Sequence, residues 1–327
     1  MNTSYKRKSK AKKDVRKWWD DRIKCLSNIK INDVIVSAEN IYKVLVSSGQ
    51  AYNLYEKGVW TCKKLAILQY YLDIYTKIMK SRYSKLFYFD LCSGSGLIKL
   101  KSINKCIFGS ALLSILIPLS FSRFVFDKFY FVEISEERAN TLEMIIEKLK
   151  EFLPENIKYE VICKDMNEIN YEKYMRNCDH SLVVIDPEGI EPKWKTVSSI
   201  LSNRCDVIFT FMTSGIQRLL GKNDPDITKD IEEFLGEDAV PSDVDTLIDL
   251  YIRKIISMGK QEVRNVPIDA RYFKYNIIIA TRKTRSGNPW LGAIDNIVPK
   301  IKIENAVLED IFRINFGIQS DLSLMEE

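Results

Sequence analysis

Four acidic residues stand where short apolar runs end, and one of them opens a glycine turn. Phe89-Asp90-Leu91-Cys92-Ser93-Gly94-Ser95-Gly96 is an apolar run closed by a carboxylate and followed by G-x-G. Glu133 closes Phe129–Glu133, and Asp165, with Met166 beside it, follows Lys158–Cys163. Asp186 closes Leu182–Asp186 and begins Asp186-Pro187-Glu188-Gly189. Glycines at 94 and 96 allow a tight turn and close approach of a ligand. Acids at the carboxyl ends of parallel strands face the crevice where ligands bind, and the acid after a second strand commonly holds ribose hydroxyls. A single strand-end acid is an ordinary solvated residue. Four at one edge point to a ligand site.

The glycine pattern narrows the ligand. Lys99 stands where the dinucleotide fingerprint has its third glycine, which argues against NAD and FAD. No Walker lysine pattern supports a nucleoside triphosphate. Asp186 has two open roles, catalytic or structural at the cofactor edge, with Glu188 as its catalytic companion. A carboxylate at either position could orient an amine or take its proton.

Other reactive types are sparse. The single histidine, His180, excludes every site that needs two, and its position ahead of the fourth strand reads as surface or loop. The seven cysteines contain no C-x-x-C, which excludes zinc ribbons, redox dithiols and iron–sulfur runs. They read as reduced thiols of a cytoplasmic protein, Cys92 among them as a small packing residue. Arg218 and Lys222, after the fifth strand, are exposed bases that could steer an anionic substrate.

The elements that must position these residues alternate. Leu65, Leu68, Leu72, Tyr75 and Met79 form one helical stripe, with Thr61 as its N-cap. Buried strands follow at Leu86–Leu91, Phe129–Glu133, Lys158–Cys163, Leu182–Asp186 and Asp206–Met212. Helices fall at Gly109–Ser120, Glu136–Phe152 and Val197–Ser202. This alternation predicts an α/β fold with a mostly parallel central sheet and helices on both faces. Residues 221–242 interrupt it as an acidic, loop-rich insertion that could cover the sheet edge. Ser242 then caps a helix to Met258, closed by Gly259, and Tyr272–Thr281 is a late strand.

The set Asp90, Gly94, Gly96, Glu133, Asp165 and Asp186 resembles that of class I S-adenosylmethionine-dependent methyltransferases, with their Rossmann-like fold. The resemblance implies S-adenosylmethionine as cofactor. It implies Asp90, Cys92, Ser93, Gly94, Ser95 and Gly96 around its methionine part, Glu133 on its ribose, and Asp165 with Met166 at its adenine. Glu133 lies 37 positions beyond Gly96, against about 20 in a standard dinucleotide unit. The extra length is Lys99–Phe108. The order D-L-C-S-G-S-G, G-S-A-L-L at 109–113, F-V-E at 131–133, I-D-P-E-G at 185–189 with Trp194, and A-T-R at 280–282 resembles the three-Cys-motif partner family (TcmP) over roughly residues 58–285. That resemblance implies a separate three-cysteine-motif protein as partner. Amino-group methyltransferases often carry D/N-P-P-aromatic where this chain has D-P-E-G. The stacking ring is therefore lost unless Trp194 supplies it. The rival reading is a non-catalytic cofactor-binding subunit. A nucleotide-binding domain without methyl chemistry is a third reading, disfavoured by the absent Walker lysine and third glycine.

The chain has 327 residues, 46% hydrophobic and 28% charged, an ordinary globular composition. The longest apolar stretch, near 111–121, is too short for a membrane span, and no h-region of a secretory signal is present. The net charge is +5, and residues 1–20 hold eight bases against two acids. The positive balance therefore belongs to an N-terminal arm, expected to be disordered and able to contact nucleic-acid phosphates, with Trp18-Trp19 docked. The expected organisation is an arm over 1–20, an extension with a packing helix over 21–80, and the α/β domain over 81–285. That domain contains the acidic insertion and helix at 221–260. A helical or irregular segment follows over 286–327.

Overall fold

The computed structural model describes residues 2–49, 54–121, 126–155, 157–222, 224–270, 273–285 and 287–318, of which 2–13 by backbone only. The chain begins with helix α1 (Asn2–Ser27), the hairpin β1 (Asn28–Ile31) and β2 (Val34–Ser37), helix α2 (Ala38–Ser47) and β3 (Tyr55–Lys57). Next come α3 (Thr61–Lys80), β4 (Leu86–Asp90), the hairpin β5 (Leu97–Leu100) and β6 (Lys105–Phe108), and α4 (Ser110–Phe121). The alternation continues with β7 (Lys128–Glu133), α5 (Glu136–Leu149), β8 (Tyr159–Cys163), α6 (Tyr171–Met175) and β9 (His180–Ile185). Then follow α7 (Trp194–Leu201), β10 (Cys205–Phe211), α8 (Thr213–Leu220), α9 (Pro225–Leu235) and α10 (Val244–Ser257). Strands β11 (Glu262–Asp269) and β12 (Lys274–Thr281) and helices α11 (Pro289–Ile301) and α12 (Asn305–Asn315) complete the chain.

Seven strands form one sheet in the order β11-β12-β10-β9-β4-β7-β8. The run β10-β9-β4-β7-β8 is parallel throughout, and β12 is antiparallel to both its neighbours. Both faces are covered, so the central strands are apolar on both. In β4, Leu86 and Tyr88 join one core, and Phe87 and Phe89 the other. Helices α1, α3, α4, α5, α11 and α12 pack on the first face and α6 to α10 on the second. The Rossmann-like α/β architecture is the one the alternation predicts. Among the described residues no helix is long and apolar enough to cross a membrane.

Several local expectations are corrected. Residues 2–20 of the arm expected to be disordered lie within α1, where Trp19 is completely buried and donates its indole N–H to Lys300 O at 3.0 Å; residue 1 lies outside the described residues. Thr61 is the first helical residue of α3 and not its cap; its buried hydroxyl has no partner among the described residues. The stretch 221–242 contains α9, opened by Asp224 with Pro225 behind it. Asp243, not Ser242, caps α10, accepting from Thr246 N at 2.8 Å. The added length after Gly96 is the β5–β6 hairpin, which β3 joins in parallel. His180 is the first residue of β9 and is buried, not a surface or loop residue.

Candidate functional site

Strand order reverses beside β4: the chain goes to β7 and β8 on one side and to β9 and β10 on the other. Such a switch point opens a crevice at the carboxyl ends of the strands. A cleft of about 1100 Å³ lies there, lined among others by Asp90's loop, Glu133, Asp165 and Asp186.

The loop after β4 is stitched to both neighbours. Leu91 N donates to Val184 O at 2.9 Å and Ser93 N to Val132 O at 2.9 Å. Gly94 and Gly96 have φ of +59° and +85°. A Cβ on Gly96 would stand 2.8 Å from Leu142 and 3.1 Å from Leu112. Gly109 N also donates to Gly96 O at 2.7 Å. Gly96 is therefore required by close helix packing, and Gly94 by its left-handed turn. The serine hydroxyls turn to the main chain, Ser93 to Val132 O and Ser95 to Leu97 O. Asp90 is fully buried, and burial pushes its carboxyl up to about 7, with the Asp186 charge adding to the rise. The Cys92 thiol is pushed well up by burial and then by Asp186 and Asp90, which leaves it a poor nucleophile.

Glu133 is almost wholly engaged by the protein. Its Oε2 accepts from Gly94 N at 2.9 Å; its Oε1 accepts from Ser135 N at 3.0 Å and Arg138 Nε at 2.9 Å. The Arg138 guanidinium also lies over the Tyr55 ring, 4.6 Å from its centroid. Only Oε2 keeps capacity for a ligand hydroxyl. Asp165 is differently placed. Its Oδ1 accepts from Asn167 N at 2.8 Å and Asn167 Nδ2 at 3.0 Å, while Oδ2 has no partner among the described residues. Asn167 Oδ1 accepts from Lys193 N and Thr196 Oγ1, which fixes this turn against α7. Met166, beside it, is buried in the cleft wall.

Both acids of the D-P-E-G turn meet lysines from the N-terminal extension. Lys64 Nζ of α3 donates to Asp186 Oδ2 at 2.5 Å, and Lys57 of β3 donates to Glu188. Asp186 Oδ1 is buried with no hydrogen-bond partner among the described residues. Sequence reasoning missed Lys57, Lys64, Tyr55 and Arg138. One signal was present: Lys63 and Lys64 occupy the first turn of α3, where the helix dipole disfavours cations. Each is compensated elsewhere, Lys63 by Ile303 O at 2.6 Å and Lys64 by Asp186.

Trp194 does not supply the missing stacking ring. It packs edge-on against Tyr251, with Lys254 over its face, and does not line the cleft. The cleft's aromatics are Tyr55, Trp60, Phe273 and Tyr275. Trp60 and Phe273 meet edge to face at 4.7 Å, and Tyr275 Oη donates to Trp60 O at 2.9 Å. The insertion helix α9 does border the cleft through Ile227, Asp230 and Glu233, and Lys193 bridges to Glu233 at 2.7 Å. Arg218 reaches the cleft and Lys222 does not. Among the described residues no acid, histidine and cysteine cluster could hold a metal.

No family model matches the chain, and no curated protein matches it. The three-Cys-motif partner resemblance therefore rests on the sequence motifs alone. Solved structures similar to it include the Legionella pneumophila protein LPL1258, described under family model DUF519, at 13% identity and TM-score 0.46, covering 72% of this chain and 91% of that one. The methyltransferase domain of bacterial CtHen1-C is 13% identical with TM-score 0.37, covering 66% and 99%. Magnesium protoporphyrin IX methyltransferase from Synechocystis PCC 6803, with bound SAM, is 13% identical with TM-score 0.36, covering 76% and 98%. Likeness this distant says nothing of this chain's own chemistry.

Proposed function

We propose that this chain is an S-adenosylmethionine-dependent methyltransferase whose cofactor lies in the acid-lined cleft. The observation that carries the reading is the unpartnered, buried Asp186 Oδ1 at the switch point, in a cleft also walled by Glu133 and by the loop that buries Asp90. The cleft holds bases as well as acids, and it is the unpartnered oxygen of Asp186 that suits a ligand with sulfonium and ammonium charges. The free Oδ2 of Asp165 suits an adenine amino group, with Met166 against the ring, and the spare capacity of Glu133 Oε2 suits one ribose hydroxyl. The turn at Gly94 and Gly96 forms the wall for the methionine part.

When bound, the cofactor supplies an already activated methyl group, so positioning of the acceptor accounts for much of the acceleration. Lys64 holds Asp186 Oδ2 and so fixes the carboxylate's orientation. Asp186 Oδ1 then accepts from an acceptor amine and orients its lone pair, with Glu188 at the mouth as a second acceptor. The acceptor we take to be nucleic-acid or nucleotide-related, supported by the basic N-terminal segment. Binding of labelled RNA or DNA that is unchanged on deleting residues 1–17 would remove that extension.

A second reading has its own support. Both D-P-E-G acids are paired with lysines, as expected of a cofactor-binding subunit completed by a separate three-cysteine-motif protein. It predicts methyl transfer only from the pair. Calorimetric titration of S-adenosylmethionine and S-adenosylhomocysteine tests the cofactor itself. Micromolar binding, weakened about tenfold by Asp165→Ala, is expected. No heat with either ligand in a folded protein would sink the proposal.

A further inference from the structure

The opposite end of the sheet carries a second, smaller cavity of about 140 Å³. It lies where β9 and β10 begin and β12 ends, between the end of α3 and the start of α11. Its walls include Arg82, Arg204 and Arg282, the hydroxyl residues Thr281 and Thr284, and no carboxylate. None of the three guanidinium groups is ion-paired among the described residues. Arg282 donates to Ser202 O and Asn203 O at 3.3 Å each, at the end of α7, and Arg82 faces the Trp290 ring at 6.0 Å. The Arg204 side chain makes no hydrogen bond or ion pair among the described residues.

A fourth cation reinforces the field. Lys260 is fully buried, its Nζ held by Asn203 O at 2.9 Å and Cys205 O at 2.7 Å. His180 forms part of the cavity wall, stacked on Tyr83 at 5.1 Å, with Nδ1 at 2.7 Å from Tyr75 Oη. Burial first, and then the charges of Lys260, Arg282 and Arg204, hold its ring neutral, with its pKa pushed down to about 3. The buried Asp206 approaches His180 Nε2 only to 3.7 Å and does not line the cavity.

The three arginines are solvent-exposed and converge on a concave, carboxylate-free pocket, whose positive field attracts an anion. Guanidinium forks match the oxygens of a phosphoryl group and can bind it bidentately. The cavity has room for a tetrahedral oxyanion but not for a nucleoside. We propose that this pocket binds a phosphoryl group, either inorganic phosphate or the terminal phosphate of a nucleic acid, held by Arg82, Arg204 and Arg282.

Because His180 is the only histidine, its imidazole gives a single, assigned Cε1–H resonance in the full-length chain. That resonance is followed while inorganic phosphate, a 5′-phosphorylated oligonucleotide or its 5′-hydroxyl counterpart is added at constant ionic strength. The proposal expects a saturable shift with phosphate or with the 5′-phosphorylated strand, and none with the 5′-hydroxyl strand. Which of the two binds more tightly assigns the source. Arg204→Gln, which disturbs no other side-chain bond, should weaken that binding by about tenfold. Arg82→Gln should act in the same direction, and Arg218→Gln in the other cleft should not. A shift no larger than sodium chloride gives, or one that survives both Arg82→Gln and Arg204→Gln, overturns it.

Discussion

The two ends of one mostly parallel sheet carry different chemistry. At the carboxyl edge, Glu133, Asp165 and Asp186 line a large cleft beside the buried Asp90, and Asp186 Oδ1 is left without a partner among the described residues. At the amino edge, three arginines and a buried histidine surround a small cavity with no carboxylate in its wall. Both ends bury an acid completely, and in both burial raises its pKa: Asp90 to about 7 and Asp206 to about 6. The difference lies in where they stand. Asp206 Oδ2 accepts from Tyr71 Oη at 2.8 Å, within a network that ties α3 to β10, while its Oδ1 is buried without a hydrogen-bond partner among the described residues, 3.7 Å from His180 Nε2. Asp90 has only long contacts, 3.4 Å from Cys92 N and 3.5 Å from Tyr88 Oη, besides its Ser110 interaction. Each edge thus leaves one buried carboxylate oxygen without a partner among the described residues, Asp206 Oδ1 and Asp186 Oδ1, but only Asp186 lines a cleft where a ligand can reach it.

The largest expected effect separates the two ends by function. Asp186→Asn keeps the shape of the side chain but removes its capacity to take or orient a proton. Transfer of labelled methyl from S-adenosylmethionine to pooled nucleic acid should fall by roughly 10²- to 10⁴-fold, the range of a positioned acid–base group. Cofactor affinity should stay within about threefold, because Asp165 and Glu133 are untouched. Arg204→Gln at the other end should leave transfer unaltered when the nucleic acid carries no terminal phosphate. Equal losses from the two variants would erase the functional distinction drawn between the edges.

A smaller effect separates the ends by pH. His180 in the folded chain has its pKa depressed to about 3 by burial, against about 6.5 for a free imidazole. The unfolded chain therefore binds this proton first. The contribution to stability is complete above pH ~6.5 and is lost as pH falls toward ~3. Replacing both members of the hydrogen bond, Tyr75→Phe with His180→Phe, removes the titration without orphaning a hydroxyl. Asp206 remains in both proteins, so its opposite pH dependence cancels from the difference. Urea unfolding at about pH 7 and pH 4 should show the parent losing roughly 2–3 kcal/mol more than the double variant on acidification. Parallel losses in the two proteins would show that the histidine is not held neutral.

The same contrast explains what was legible in the sequence. The carboxyl edge could be read because right-handed βαβ connections bring consecutive strand ends to one side, so Asp90, Glu133, Asp165 and Asp186 had to converge. The amino edge could not, because its groups come from elements far apart in the chain, and only tertiary packing joins Arg82, Arg204 and Arg282. His180 was misread for that reason: two positions before the apolar run is still inside β9 when Tyr75 and Tyr83 cover it. Strand β11 was missed because it is a half-exposed edge strand with Pro267 within it, a pattern that argues against a central strand. Lys57 and Lys64 lie in the extension, outside the repeating α/β pattern, and their partners depend on how that extension docks.

The smallest effects distinguish two ion pairs within the carboxyl edge. The side chains of Lys64 and Asp186 are 21% and 17% exposed, and those of Lys57 and Glu188 are 28% and 58%. A partly buried charge left without its partner is costly, whereas a solvated one is screened by water and salt. Lys64→Met should therefore destabilise the protein by about 1–2 kcal/mol, allowing for residual solvent access. Asp186→Asn in the same chain should recover most of that loss, because no uncompensated carboxylate then remains. Lys57→Met should change stability by less than about 0.5 kcal/mol, and by less still at high salt. Denaturant midpoints at low and high ionic strength check both. A Lys57 effect as large as that of Lys64 would mean that β3 clamps the D-P-E-G turn as firmly as α3 does, and Glu188 would then share the orienting role assigned to Asp186.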